Sequence, residues 1–255
     1  MDTTTVKALR VIEALAVSDE PRGVAELSRQ LGLTKSNTFR ILSTLAEQGY
    51  ARSHPETGRY WLTLKIWEQG AKVIERFPVR RVAQPYLKLL FSQLNEVILM
   101  SVLDWPAVLY IDKMDSDYPV RASARVGWRS PAWRTASGKA MLAFHPEEVI
   151  DKLSEDGLIS SGELEDLRKE LCEVRERGYA VSFSGTWPGM NSVAAPIWGG
   201  ESVPAASLSV SGPAERFSKD RMNEISASVM NASTRISEGL GVPLLTHGNF
   251  ADASS

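Results

Sequence analysis

The chain has 255 residues and a formal net charge of -2 at pH 7, enough length for one or two domains with a sizeable core. The near-neutral balance excludes a general nucleic-acid coat protein, and the single cysteine, Cys172, excludes an internal disulfide or a multi-cysteine zinc site. His54, His145 and His247 stand too far apart for a local metal motif, and no apolar run is long enough to span a bilayer.

Thr3 to Thr5 offer N-caps for a first helix through about residue 17, with Val6, Leu9, Ile12 and Leu15 at core spacing. Lys7, Arg10 and Glu13 interrupt its apolar residues, so a signal peptide is not expected and a cytoplasmic protein is. Asp19-Glu20-Pro21 closes the segment. Val24, Leu27 and Leu31 then recur at intervals of three and four, predicting a short amphipathic helix that Gly32 ends. Thr34 is a good N-cap for a further helix over 35–48. Its inward side is predicted to carry Phe39, Ile41, Leu42, Leu45 and Ala46, its outward side Lys35, Ser36, Asn37, Arg40 and Ser43. Gly49 ends it as a left-handed cap would. Two helices around a short glycine-containing turn make a helix-turn-helix, and the second is shaped to enter a major groove.

Tyr50-Ala51-Arg52 and Arg59-Tyr60-Trp61-Leu62 read as short strands joined by the turn residues His54-Pro55-Glu56-Thr57-Gly58, the plan of a wing. Across this stretch Arg22, Arg29, Lys35, Arg40, Arg52, Arg59 and Lys65 outnumber Glu26, Glu47 and Glu56, a local excess that attracts phosphates whatever the base sequence. Residues 1–63 are therefore predicted to form a winged helix-turn-helix DNA-binding domain. Leu64, Trp67, Ala71 and Ile74 continue as a helical stripe, predicting a linker helix over 64–78. Its apolar edge suits a dimer seam, because paired half-sites need paired readers. Pro78 would disrupt a continuing helix, and the domain boundary is placed there.

The second domain is predicted over 79–241. Residues 79–93 read as a helix with Val82, Tyr86, Leu89 and Leu90 inward and Pro85 as a point of kinking or later start. Strands follow at 97–103 and 107–111 about the turn Asp104-Trp105-Pro106. A third is predicted at 120–126, where Arg and Ser alternate with apolar residues, before Ser130-Pro131 interrupts. Helices are predicted from Thr135 to about 144, near 146–154 and over 162–177, the last marked by Leu164, Leu167, Leu171 and Val174. Three strands near 179–183, 192–197 and 205–211 precede a final helix, 218–240, carrying Met222, Ile225, Val229, Ala232, Ile236 and Leu240. Residues 242–255 read as a flexible tail. Central strands with flanking helices describe an α+β sensor domain, and no glycine-rich dinucleotide fingerprint follows a strand.

These stretches, in order and in register over nearly the whole chain, resemble the IclR-type bacterial transcriptional regulators. The likeness is carried by Val24-Ala-Glu-Leu-Ser-Arg-Gln-Leu-Gly-Leu-Thr-Lys-Ser-Asn-Thr-Phe-Arg-Ile-Leu and Pro55-Glu-Thr-Gly-Arg-Tyr. In the second domain it is carried by Thr135-Ala-Ser-Gly-Lys-Ala, Arg175-Glu-Arg-Gly-Tyr, Val193-Ala-Ala-Pro and Leu208-Ser-Val-Ser-Gly-Pro. The resemblance implies a winged helix-turn-helix joined by a linker helix to a GAF-like, effector-binding domain, with no cofactor. It implies dimers or dimers of dimers on double-stranded operator DNA, with a small-molecule effector altering DNA or polymerase engagement. The implied DNA-binding residues are Lys35, Ser36, Asn37, Thr38 and Arg40 of the recognition helix with Arg59 and nearby wing residues; Thr34 at the cap and Arg22 and Arg52 of the basic stretch are expected to join them. The implied effector pocket falls on Ala122, Gly127, Thr135, Ala136, Ser182, Ser192, Ser209 and Ser211. Ser182 stands where the family often has Asp and Ser192 where it often has Cys, which leaves the pocket more neutral and reliant on hydroxyls.

Ser182, Ser192, Ser209 and Ser211 can each donate and accept hydrogen bonds, and Ser209 and Ser211 alternate along one strand to face one side. Backbone N–H groups from Thr135 to Gly138 open a helix, a seat for an anion. Trp128, Trp133 and Trp187 lie on loops where they could wall a ligand, and Arg125 or Arg134 could supply a counter-charge. Together these suggest an organic carboxylate from a catabolic pathway, aromatic acids included. The bland alternative is that the serines satisfy backbone groups at strand ends. An enzyme is not expected: around Gly138-Lys139, Trp133 and Ala140 occupy the Gly and Ser/Thr places of a phosphate loop, and no serine sits in a nucleophile elbow. A winged helix that binds protein instead of DNA is the second reading. Cys172, with Glu170 and Glu173 nearby disfavouring a thiolate, reads as a buried or half-buried small residue.

Overall fold

The computed structural model describes residues 3–185 and 187–241; Met1, Asp2, Thr186 and the expected tail at 242–255 lie outside the described residues. The chain divides into two compact units between Arg76 and Phe77.

The first unit runs α1 (Thr3–Ala16), α2 (Val24–Leu31), α3 (Lys35–Glu47), β1 (Ala51–Ser53), β2 (Tyr60–Leu62) and α4 (Lys65–Ile74). Local chemistry sets the helix ends. The Thr34 hydroxyl accepts the Asn37 N–H at 3.2 Å, capping α3. At its other end Gly49, with φ +75°, lets the Tyr50 N–H reach the Leu45 carbonyl at 2.8 Å. The β1–β2 hairpin is antiparallel with Ala51 opposite Leu62, and Arg22 bridges to Tyr60 through two backbone hydrogen bonds of 2.8 Å. Val11, Leu15, Leu27, Leu42, Leu45 and Tyr60 are among the side chains that close the core.

Helices α1 and α3 bury arcs that differ from the expected ones. In α1 the buried arc is Val11, Ala14 and Leu15, while Val6 and Leu9 are exposed. Two apolar stripes share Leu15, and spacing alone does not choose between them. In α3 Thr38, Ile41, Leu42 and Leu45 face inward and Phe39 is 55% exposed. No residue of α4 is buried, and Trp67 and Val73 are exposed along with Leu64 just before it.

The second unit begins with α5 (Pro78–Leu94). Pro78 lies in its first turn, where a missing N–H has no helical partner to lose, so this proline opens the second unit instead of ending the linker. Pro85 is accommodated within the same helix. The buried stripe is Val79, Ala83, Leu87, Leu90 and Leu94, one step around from the expected one, and Leu89 is exposed. Then come β3 (Val97–Asp104), β4 (Ala107–Met114), β5 (Arg129–Pro131), a 3-10 turn Ala132–Arg134, α6 (Ala136–Leu142), α7 (Glu147–Glu155) and α8 (Ser161–Arg177). The chain continues through β6 (Ala180–Phe183), β7 (Met190–Trp198), β8 (Pro204–Pro213), a 3-10 turn Ala214–Arg216 and α9 (Lys219–Gly239). The six strands form one antiparallel sheet in the order β5-β4-β3-β8-β7-β6.

The strand expected at 120–126 is a loop, and Ser130-Pro131, expected to interrupt, belongs to edge strand β5. Alternation is real in the loop: Ala122 and Ala124 are buried while Arg121, Ser123 and Arg125 are exposed. An extended segment lying on a core shows the same period as a strand without any ladder partner. Pro131 fits at a sheet edge because the outer side needs no donor. The α5 and α9 helices cover one side of the sheet. Leu99, Val108 and Tyr110 on the other side join Ala136, Ala140 and Leu171 in the main core. An extra residue, Ile111, sits between the pairs Ser101–Tyr110 and Met100–Asp112. This bulge turns Tyr110 toward that core and Asp112 toward α5, where Arg80 Nε and Gln84 Nε2 donate to its carboxylate at 3.0 and 2.5 Å.

Candidate functional site

On the first unit, the outward side of α3 carries Lys35, Ser36 and Arg40, all exposed, with Asn37 half-buried. Thr34 is exposed as the cap. Thr38 does not join them: it is 0% exposed and its hydroxyl donates to the Thr34 carbonyl at 3.1 Å, so it holds the helix start and presents nothing outward. Arg52 is exposed on β1. Arg22 and Arg59 serve first inside the unit. Arg22 Nε donates to Glu26 at 3.1 Å, and Arg59 Nη2 donates to both Glu26 oxygens at 2.9 and 3.1 Å while its Nε donates to the Pro21 carbonyl at 2.8 Å. Glu26 also accepts the Gly23 N–H. That backbone bond, then Arg22 and Arg59, hold the Glu26 carboxyl below the usual carboxylate range. The wing is thereby tied to the start of α2, and the wing arginine's side chain stays 42% exposed.

On the second unit a cavity of about 260 Å³ opens on the core side of the sheet. Register builds its floor. Ser182 pairs with Ser192 and Ser192 with Ser211, so three serines from β6, β7 and β8 form one row; Ser209 lies opposite Leu99 on β3. Thr135 and Ala136 at the start of α6 line the wall, as do Ser137, Tyr110, Asn191 and Trp187. Seven of the nine expected effector residues meet here: Ala122, Thr135, Ala136, Ser182, Ser192, Ser209 and Ser211.

Arg125 and Gly127 do not line it. They belong to the turn that returns the loop to β4: the Gly127 N–H donates to the Tyr110 carbonyl at 2.8 Å, and the Arg125 guanidinium lies 5.2 Å from the Trp128 ring. Arg134 offers the site its backbone only, its carbonyl accepting the Ser182 hydroxyl at 2.9 Å. The anion seat at Thr135–Gly138 is partly closed, because the Gly138 N–H is committed to the Thr135 hydroxyl at 2.9 Å. The charged side chain lining the cavity among the described residues is Arg121, held by the Asp115 carboxylate at 3.5 Å and the Tyr118 carbonyl at 3.1 Å. Sequence reasoning missed it together with Tyr110, Ser137 and Asn191, although Arg121 and Ser137 adjoin residues it did single out.

The bland reading of the serines is partly right. Ser182 donates to a backbone carbonyl, and Ser137 donates to Ser209, which is 3.4 Å from the Leu99 carbonyl. Ser192 and Ser211 line the cavity beside them. Burial pushes the Tyr110 phenol above its ordinary value, partly offset by a hydrogen bond with Ser130, so it stays protonated and able to donate. Trp187 stacks on Trp128 at 6.4 Å between ring centroids, while Trp133 packs against the core beneath. Of the three rings, Trp187 alone lines the cavity, with Trp128 stacked behind it. Cys172, expected to be buried or half-buried, is exposed on α8. Among the described residues there is no His, Cys, Asp and Glu cluster able to hold a metal, and no helix long and apolar enough to cross a membrane.

Two family models match the chain. One, described as the IclR helix-turn-helix domain, covers residues 4–55, and one, described as bacterial transcriptional regulator IclR C-terminal, covers residues 71–238. The HTH-type transcriptional regulator KdgR of Dickeya chrysanthemi is 33% identical over 245 residues, which span 94% of this chain and 80% of that protein. The crystal structure of the Thermotoga maritima IclR covers 95% of this chain and 100% of its own with a TM-score of 0.77 at 26% identity. An IclR homolog from Microbacterium hydrocarbonoxydans, complexed with 4-hydroxybenzoate, shares the fold with a TM-score of 0.80 at 22% identity, over 94% of this chain and 99% of its own.

Proposed function

The chain belongs to the IclR family of bacterial transcriptional regulators, and from that premise we propose that its operator binding is set by a small organic carboxylate held in the second unit. The observation that carries this reading is a hydroxyl-floored cavity whose charged side chain is Arg121. Its volume, about 260 Å³, lies just below the ~300–1,000 Å³ usual for ligand pockets, which favours a small metabolite. In this reading Arg121 pairs with the carboxylate, Ser192 and Ser211 bond its polar atoms, and Trp187 covers an apolar or aromatic body. The recognition helix reads base edges with Lys35, Ser36, Asn37 and Arg40, and Arg52 and the exposed part of Arg59 approach phosphates. The protein acts in the cytoplasm as a homodimer or a dimer of dimers, with Leu64, Trp67 and Val73 as a seam.

A ligand alters DNA affinity only if it binds two global states differently. The test is titration calorimetry with aliphatic and aromatic acids, 4-hydroxybenzoate among them, followed by a gel shift on the upstream intergenic DNA with the acid that binds. Arg121→Gln is expected to weaken that acid about tenfold, the low end for losing a charge-assisted hydrogen bond at a half-exposed site. Binding only to short aliphatic acids removes the aromatic class; unchanged affinity in Arg121→Gln removes the carboxylate pairing. Arg40→Ala is expected to weaken specific DNA binding by about 1–3 kcal/mol.

A further inference from the structure

We propose that Phe39 is a specificity-determining residue of the recognition helix and that it reads the 5-methyl group of a thymine; the proposal rests on the DNA-binding function of the first unit. The spacing of α3 predicts this side chain in the core, yet it is 55% exposed. The core side of the helix is complete without it, because Thr38, Ile41, Leu42 and Leu45 are all buried. Phe39 lies three residues after Ser36 and four before Ser43, so it stands on the outward half of the helix, immediately before Arg40. Its neighbours on that side are polar or charged, and each could bond a base edge or a phosphate.

A phenyl ring can form no such bond. The major groove offers one apolar feature that distinguishes bases, the thymine methyl, and an aromatic ring against it is among the pairings by which side chains read sequence. The competing occupant is a second copy of the chain covering the ring. The charge around it favours nucleic acid: Lys35 stands one turn before Phe39, Arg40 follows it, and Arg29 on α2 and Arg52 on the wing are exposed on the same unit.

The experiment uses the full chain and lets the protein choose its own site. Random-sequence duplexes are selected on wild type, and the preferred duplex is resynthesised with deoxyuridine replacing thymidine at one position at a time. Wild type is expected to lose about fourfold at one or two positions, the factor that burying one methyl-sized group gives. Phe39→Ala is expected to lose a similar or larger factor on the thymine duplex and to ignore uracil at those positions. Wild type that binds tightly but tolerates uracil everywhere overturns the proposal, as does a Phe39→Ala protein that stays uracil-sensitive. Gel filtration decides the competing occupant: a variant that falls to a smaller oligomer shows that Phe39 is covered by a second copy. Wild type that retains no duplex at all would refute the DNA-binding reading, and this assignment with it.

Discussion

A methyl group added at Gly138 would stand 2.1 Å from the Ala132 carbonyl oxygen and 2.5 Å from the Ala132 Cα. Backbone, not a flexible side-chain end, fills that space, so neither atom can step aside cheaply. Gly138→Ala is therefore expected to destabilise the second unit by roughly 3 kcal/mol or more, among the larger single-residue effects. Chemical denaturation checks the magnitude, and a change under about 1 kcal/mol, the centre of the range for point variants, would mean that α6 can move away from the 3-10 turn. At this scale the sequence is legible where sterics act locally. Ser209 and Ser211 must share a side because strand side chains alternate. The row Ser182, Ser192 and Ser211 depends on pairing register, which no local pattern encodes, and only the family resemblance brought its members together. Arg121 stayed hidden because the loop around it alternates like a strand and drew attention to its backbone. Thr38 shows the converse: a hydroxyl residue at a groove-facing stretch of sequence can still be turned inward to bond the previous turn.

Elements are joined by few side chains, and Glu26 is the clearest joint. It receives Arg22 from the segment before α2, the Gly23 amide at the helix start and Arg59 from the wing. Its carboxyl is lowered in the folded protein, so its contribution is present above the unfolded value of about 4.3 and is lost as pH falls through the lower, folded value. Melting of the first unit is expected to fall in that acid window in wild type and to change less in Glu26→Gln, which has already lost the charge. The variant should also weaken DNA binding modestly, because the wing loses its ionic tie to α2 and keeps only the Arg22–Tyr60 backbone pair and the Arg59 bond to the Pro21 carbonyl. Parallel melting curves across the acid range for the two proteins would show that other carboxylates govern it. Caps and turns made these elements predictable: Thr34, Gly49 and the 54–58 turn each mark their boundary by local chemistry. Edge strand β5 did not announce itself, since three residues paired on one side carry too little pattern to distinguish from a loop.

At the scale of the whole molecule, the chain divides between Arg76 and Phe77 into two compact units with separate cores. A ligand confined to the second unit's cavity should raise that unit's stability by about 2.7 kcal/mol at a hundred times its dissociation constant, by mass action alone. Calorimetry with a binding acid should then move the second unit's transition and leave the first unit's in place. A shift of the first unit alone would put the ligand elsewhere. The segment leading from the wing has its own consequence. Helix α4 spans 10 residues with no buried side chain, and isolated helices shorter than about 12–15 residues are marginal in water. Its start is tied down by Lys65, which donates to the Gln48 carbonyl at 2.7 Å. The order of its remaining turns then depends on what its apolar edge meets, and with a second copy as that companion, dilution would loosen the joint. Abundance of the regulator in the cell would, by the same route, set how stiffly sensing is wired to reading.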